Sequence, residues 1–234
     1  MYKKIKTLDQ LRYELANLTT SGNLTVDGES SLIQATDIHL LSQYKVDLPN
    51  AEDMLMKVPL HEWLVLTGDN IDLAACHPDD VVRGRQMERE LSIKHSHERT
   101  LFNRYIPGNH ERTTTKNVIA VVELPNGRRI LCAHGDLETN PEKYVEYRKK
   151  KHGAGWLKRK LLIPLIDKFD DIKNAKIKEG LIKRAVALAH LHGCDGYLGG
   201  HVHPEEPLRE WHNGVEIVIG PQGFNMFTFA RKLL

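Results

Sequence analysis

The 234-residue sequence predicts an α/β fold with two mixed β-sheets, and three observations carry the prediction. Several short runs have strand length and β-branched or aromatic content, with helical stretches between some of them. Five of these runs deliver Asp, Asn or His at their carboxyl ends, where open α/β sheets bind their ligands. Two Asn-Gly turns join neighbouring runs into antiparallel hairpins, so the sheets are mixed rather than purely parallel.

In chain order, Met1-Tyr2-Lys3-Lys4-Ile5-Lys6 has the basic look of a signal peptide, but Leu8 to Leu15 is charged where an apolar region belongs. That stretch reads as an amphipathic helix with Thr7 and Gln10 as its capping box, followed by a short strand around Leu24 to Val26. Ser31 to Thr36 runs into Asp37-Ile38-His39, and Trp63 to Thr67 runs into Gly68-Asp69-Asn70-Ile71-Asp72. A charged helix between Met87 and Arg104 carries His95 and His97 on a solvated face. Tyr105-Ile106-Pro107 leads into Gly108-Asn109-His110-Glu111. The turn Pro125-Asn126-Gly127 pairs Val118–Leu124 with Arg129–Ala133, which ends in His134-Gly135-Asp136; Cys132 alternates with apolar neighbours there and reads as core. His190 and His192 precede Gly193 at a helix end, where imidazole is favourable beside the last carbonyls. Gly196 to Gly199 runs into Gly200-His201-Val202-His203, and His212-Asn213-Gly214 pairs Leu208–Trp211 with Val215–Ile219.

Composition excludes several classes. With 41% hydrophobic residues and a net charge of +2, the chain is not intrinsically disordered. No apolar run approaches the roughly 18 residues that span a bilayer. Cys76, Cys132 and Cys194 form no Cys-x-x-Cys pair, which removes zinc knuckles and dithiol redox motifs and makes a reducing, cytoplasmic setting the expectation. The charge is unevenly spread: Glu142 to Arg184 holds 14 Lys or Arg against 6 Asp or Glu, so a +8 segment interrupts a body of −6.

Asp37, His39, Asp69, Asn109, His134, His201 and His203 offer carboxylate, amide and imidazole donors without thiolate, a mixture suited to Mn, Fe, Zn, Co or Ni. Seven donors exceed one tetrahedral ion and fit two ions sharing a carboxylate, with positions open for water and substrate. Each motif alone is an ordinary turn or helix cap. Five turns at five strand ends together supply a complete set.

Asp-x-His, Gly-Asp-x-x-Asp, Gly-Asn-His-Glu, a lone His and Gly-His-x-His, in that order and across about 170 of the 234 residues, resemble the calcineurin-like metallophosphoesterase superfamily. The resemblance implies a four-layer αββα sandwich over residues 1–234, a single domain with a basic helical cap inserted at about 140–192. It implies that Asp37, His39 and His203 hold one metal, that Asn109, His134 and His201 hold a second, and that Asp69 bridges them. Manganese is the first expectation, with Fe, Zn, Co, Ni or Mg as alternatives. A metal-bridging hydroxide would attack phosphorus, with His110 as the catalytic group near the leaving oxygen and Asp72 orienting it. Arg112, next to His110-Glu111, is placed either to bind a substrate phosphate or to make a surface ion pair.

Leu73-Ala74 stands where phosphoprotein phosphatases carry Arg-Gly, which weakens that reading. The layout is more similar to the UDP-2,3-diacylglucosamine hydrolase group, which cleaves a pyrophosphate in lipid A synthesis and caps its site between His-Gly-Asp and Gly-His-x-His; its best-known branch has Arg in place of His110. In the insertion, Trp156 to Ile166 sets apolar residues among cations, which suits an acyl chain, an anionic membrane surface or a nucleotide diphosphate, or merely packs as a cap. The expected partner is a phosphorylated or nucleotide-linked substrate, with contact to the inner face of a membrane through the insertion as an extension and nucleic acid less favoured. A nuclease-like phosphodiesterase is a further alternative. A non-catalytic scaffold, as in the retromer subunit that resembles this family, is the alternative from another class.

Overall fold

In the computed structural model, which describes residues 1–20, 22–42, 48–74, 76–95, 104–108, 110–111, 118–135 and 170–231 (backbone alone at 19–20 and 170–178), ten strands form two mixed sheets. The first sheet contains β1 (Tyr2–Ile5), β2 (Ser30–Thr36), β3 (Leu64–Thr67), β4 (Tyr105–Ile106) and β10 (Gly223–Phe229), in the order β1-β10-β2-β3-β4. The second contains β5 (Ile119–Glu123), β6 (Arg129–Ala133), β7 (Gly196–Gly199), β8 (Leu208–His212) and β9 (Val215–Ile219), in the order β5-β6-β7-β9-β8. Each sheet has a parallel centre, β2-β3-β4 in one and β6-β7-β9 in the other, with antiparallel neighbours outside it.

Side chains alternate across a strand, and that alternation sorts the core into three layers. Leu32, Val65, Ile106, Phe227 and Phe229 of the first sheet meet Val122, Ile130, Cys132, Leu198 and Val218 of the second between the sheets. On the other face of the first sheet, Ile33, Ala35, Leu64 and Leu66 pack with Leu11 and Leu15 of α1 (Leu8–Thr20), Met54 and Leu55 of α2 (Ala51–Lys57), and Met87 and Leu91 of α3 (Val81–His95). On the far face of the second sheet, Leu131, Tyr197, Ile217 and Ile219 receive Leu181, Ala185 and Ala189 of α4 (Asp170–Leu191), spaced four residues apart on one helix face. The layers therefore run helix, sheet, sheet, helix.

The helix at the start forms with its cap: the Thr7 hydroxyl accepts the Gln10 N–H at 3.1 Å, while the Gln10 side chain reaches back to the Lys6 N–H at 2.9 Å. Both hairpins form, and Asn213 and Gly214 take the positive φ values, 49° and 78°, that a two-residue hairpin turn with matching twist requires. Gly193 closes α4 at φ 62°.

Three expectations are corrected. Leu24 to Val26 is not a strand; Val26 is fully exposed, and the edge strand is instead Tyr2–Ile5, where Tyr2 stacks on Phe227 with ring centroids 5.5 Å apart. The charged helix is described over Val81–His95, so it begins six residues before Met87. His95 is buried rather than solvated, because it extends the stripe of Met87 and Leu91 at four-residue spacing on the inward face of α3. His97 lies outside the described residues, as does the insertion except for its final helix, α4.

Candidate metal centre

Level strand ends bring the motifs together. Ala35 lies opposite Leu66 and Leu66 opposite Tyr105, so β2, β3 and β4 release their loops side by side; Cys132 opposite Leu198 does the same for β6 and β7. The first two loops continue as a ladder, with Asp37 N–H donating to Gly68 C=O at 2.9 Å and His39 N–H to Asp69 C=O at 2.8 Å. Loops of the opposite sheets then meet across the sandwich: the His201 N–H donates to an Asp37 carboxylate oxygen at 3.0 Å, and His134 Nδ1–H donates to Thr67 C=O at 2.8 Å.

Five of the nine described non-glycine residues with positive φ are site residues: Asp37 (52°), His39 (51°), Asp69 (51°), His201 (73°) and His203 (44°). A left-handed backbone costs a non-glycine residue on the order of 1–3 kcal/mol, and such strain gathers at functional sites. Gly200 permits a close approach: a Cβ there would run into Thr36 Oγ1 and the Asp37 carboxylate.

Two triads draw on both sheets, and His39, Asp69 and His110, all from loops of the first sheet, form a further group between them. Asp37, His39 and His203 each present one ligand atom within 4.8 Å of the others, and so do Asp69, His134 and His201. In the first, His203 Nε2–H donates to Asp37 at 3.0 Å and lies 3.3 Å from His39 Nε2. In the second, His134 Nε2 lies 3.1 Å from an Asp69 oxygen and 3.3 Å from His201 Nδ1. The Nδ1–H bond of His134 to a carbonyl fixes the orientation of its ring, so that Nε2 faces Asp69 and His201.

Burial would raise the carboxyl of Asp37, but the hydrogen-bonded His203 outweighs it and holds the group well below the usual carboxylate range. Asp69 is held low in the same way, against burial, by His134 and His110. Burial, reinforced by neighbouring imidazoles, pushes His39 down to about 4 and His201 to about 3. His203 is opposed by burial yet raised by its Asp37 partner. At neutral pH the site therefore offers two carboxylates and at least two neutral imidazoles, the states a divalent ion requires of its ligands. The donor set fits a pair of ions, three donors to each triad.

Beside the triads, Asp72 Oδ1 accepts the Nδ1–H of His110 at 2.8 Å, and His110 Nε2 stands 3.8 Å from Asp69. Asp72 is fully buried and also lies 3.9 Å from His39 Nδ1. Asn109 and Arg112 lie outside the described residues, so the third donor sequence reasoning assigned to the second ion and the substrate arginine have no described position.

Sequence reasoning gave Glu111 no role beyond its place in the motif. Its carboxylate is fully buried and accepts four backbone N–H groups: Gly108 at 2.6 Å, Asp69 at 2.7 Å, Asn70 at 2.6 Å and Ile71 at 3.3 Å. Burial and the neighbouring Asp69 push this carboxyl up, while His134 and the amides of Gly108 and Asn70 pull the other way, toward the charged acceptor.

No protein-family model matches the chain, and neither does any curated protein. Among solved structures the chain is similar to a conserved protein of Streptococcus pneumoniae described as a predicted phosphoesterase, with 13% identity and a TM-score of 0.36 over 83% of this chain and 73% of that one. It is also similar to Vps29 of Chaetomium thermophilum, with 11% identity and a TM-score of 0.41 over 82% and 71%. Vacuolar Protein Sorting 29 of Cryptosporidium parvum matches with 13% identity and a TM-score of 0.38 over 83% and 75%.

Proposed function

We propose that the chain is a two-metal phosphohydrolase that cleaves a phosphoester or pyrophosphate bond. The observation that carries the reading is the pair of His and carboxylate triads, with the His110–Asp72 pair beside them. Asp37, His39 and His203 would hold one ion, His134 and His201 the other together with Asn109, and Asp69 would face both. Two bound ions supply Lewis acidity toward a phosphoryl oxygen and generate a nucleophile from water near neutral pH. His110, oriented by Asp72, supplies a proton at Nε2 to the departing oxygen, or stabilises its charge. The substrate class is a phosphorylated or nucleotide-linked molecule; the UDP-2,3-diacylglucosamine reading rests on the layout of the insertion.

Metal-free protein incubated with Mn and a panel of chromogenic phosphate mono- and diesters, nucleotides, nucleoside-diphosphate lipids, phosphopeptides and DNA tests the proposal. Hydrolysis that depends on Mn and is lost in Asp69→Ala is expected. Inertness toward the whole panel with every first-row metal, with fewer than two ions bound per chain, would leave the scaffold as the function of this fold.

A further inference from the structure

We infer that Glu111 is a positioning residue that assembles the metal centre before any ion arrives, by holding the loop of Asp69 and the loop of Gly108 and His110 on one buried carboxylate. The inference rests on the reading that these loops carry metal ligands.

The two loops exchange carboxylates. Asp69, from the loop after β3, accepts the His110 N–H of the loop after β4 at 2.7 Å. Glu111, from the loop after β4, accepts the N–H groups of Asp69, Asn70 and Ile71 in return, and also that of Gly108 in its own loop. One Oε serves Asp69 and Gly108, and the other serves Asn70 and Ile71, so both oxygens link the site to its support. The backbone of Asp69 is left-handed, a conformation that needs outside support, and Glu111 bonds the N–H of that same residue.

Only a carboxylate satisfies this arrangement. It is an acceptor at both oxygens with about four lone-pair sites, whereas a glutamine places donating N–H bonds against one of the two amide pairs. Each buried amide so orphaned loses its partner where water cannot replace it. His110 and Asp69 share this support, so the two loops shift as a pair rather than singly.

The test titrates metal-free wild type and Glu111→Gln with Mn by calorimetry, well below either Tm. Two ions bound by wild type and affinity about ten- to 100-fold weaker in the variant are expected, the range typical for groups that orient metal ligands. Glu216→Gln is the control for mere destabilisation: Glu216 is a buried carboxylate bonded by Arg128 and Arg209, and its loss is expected to lower Tm while leaving Mn affinity unchanged. Glu111→Gln binding two ions as tightly as wild type overturns the inference. Should that variant not fold, amide exchange in metal-free wild type decides. Slow exchange at Asp69, Asn70, Ile71 and Gly108, changed less than tenfold by Mn, is expected; fast exchange that slows only with Mn overturns it. A wild type that binds no Mn defeats the metal-centre reading instead, and the exchange measurement still judges the clamp.

Discussion

At the scale of single residues, the arrangement of His110 separates two roles that adjacent imidazoles do not share. Asp72 is an acceptor with no exposure, so the Nδ1 it faces carries the proton, and Nε2 is the atom left for chemistry. His110→Ala is expected to lower kcat by about 10²- to 10⁴-fold, the usual contribution of a positioned proton donor. Two ions should still bind, since no proposed ligand is removed; loss of metal in parallel with activity would instead make His110 a ligand. Asp72→Asn keeps the shape but presents either an amide N–H or a neutral oxygen to Nδ1. Its kcat should fall less than that of His110→Ala, measured on the same diester, and equal loss in both would mean that the imidazole does nothing without its carboxylate. That His39, His134, His201 and His203 converge could be read from the sequence because five strand ends together supply one donor set, although each motif alone is an ordinary turn. Glu111 could not, because its partners are backbone amides up to 42 residues away, which leave no mark on residue type.

At the scale of elements, the legible strands were those whose ends carry chemistry or that an Asn-Gly turn joins, and the illegible ones owe their identity to distant partners. β10 holds buried Asn225 and Thr228, which blur its apolar pattern; Asn225 accepts from Tyr2, 223 residues away, and donates to the carbonyl of Pro221 just before the strand. β1 carries two lysines, one paired with Glu14, and becomes a strand only because β10 offers it a ladder. The end of α3 shows the same effect with a measurable consequence. His95 is buried with neither ring nitrogen hydrogen-bonded among the described residues, and burial, helped by Lys94, pushes it down to about 4. The unfolded chain, with an ordinary imidazole near 6.5, therefore binds this proton first as pH falls. Stability is full above 6.5 and declines toward 4, by about 2 kcal/mol at pH 5 from this group alone. That corresponds to a Tm lowered by about 4 to 8 °C between pH 7.5 and 5. His95→Leu, which continues the stripe of Met87 and Leu91, should remove that part of the decline; an unchanged decline would show that His95 is hydrated in the folded protein. The turn before His201 makes a steric prediction. Gly200→Ala forces a methyl against Thr36 and Asp37, and Mn affinity measured by calorimetry should fall at least tenfold, whereas unchanged affinity would mean that the Asp37 loop yields freely.

At the scale of the whole molecule, the site joins the two sheets by polar groups at one end of the sandwich, as Asn126, Arg128 and Arg209 do elsewhere through carbonyls at the end of β10. Asp37, His39 and Asp69 follow strands of the first sheet, and His134, His201 and His203 follow strands of the second. Each triad contains members from both, so an ion in either one closes a link across the sandwich. The metal-free site also gathers the buried carboxylates of Asp37 and Asp69, charges that a cation compensates. Binding to the folded chain alone stabilises it by about 2.7 kcal/mol per ion at a free metal concentration 100 times Kd. For a chain of this length that amounts to roughly 5 to 10 °C in Tm for each ion. Thermal unfolding of metal-free protein across a Mn series is therefore expected to show a rise that grows with the logarithm of concentration and reverses on chelation. Asp69→Ala should keep the apolar core and lose most of the rise, because its partner His134 is left without a carboxylate. A rise of the same size in that variant would place the stabilising ions elsewhere on the molecule, and a Tm indifferent to Mn in wild type would show that the sheets are already held together without them.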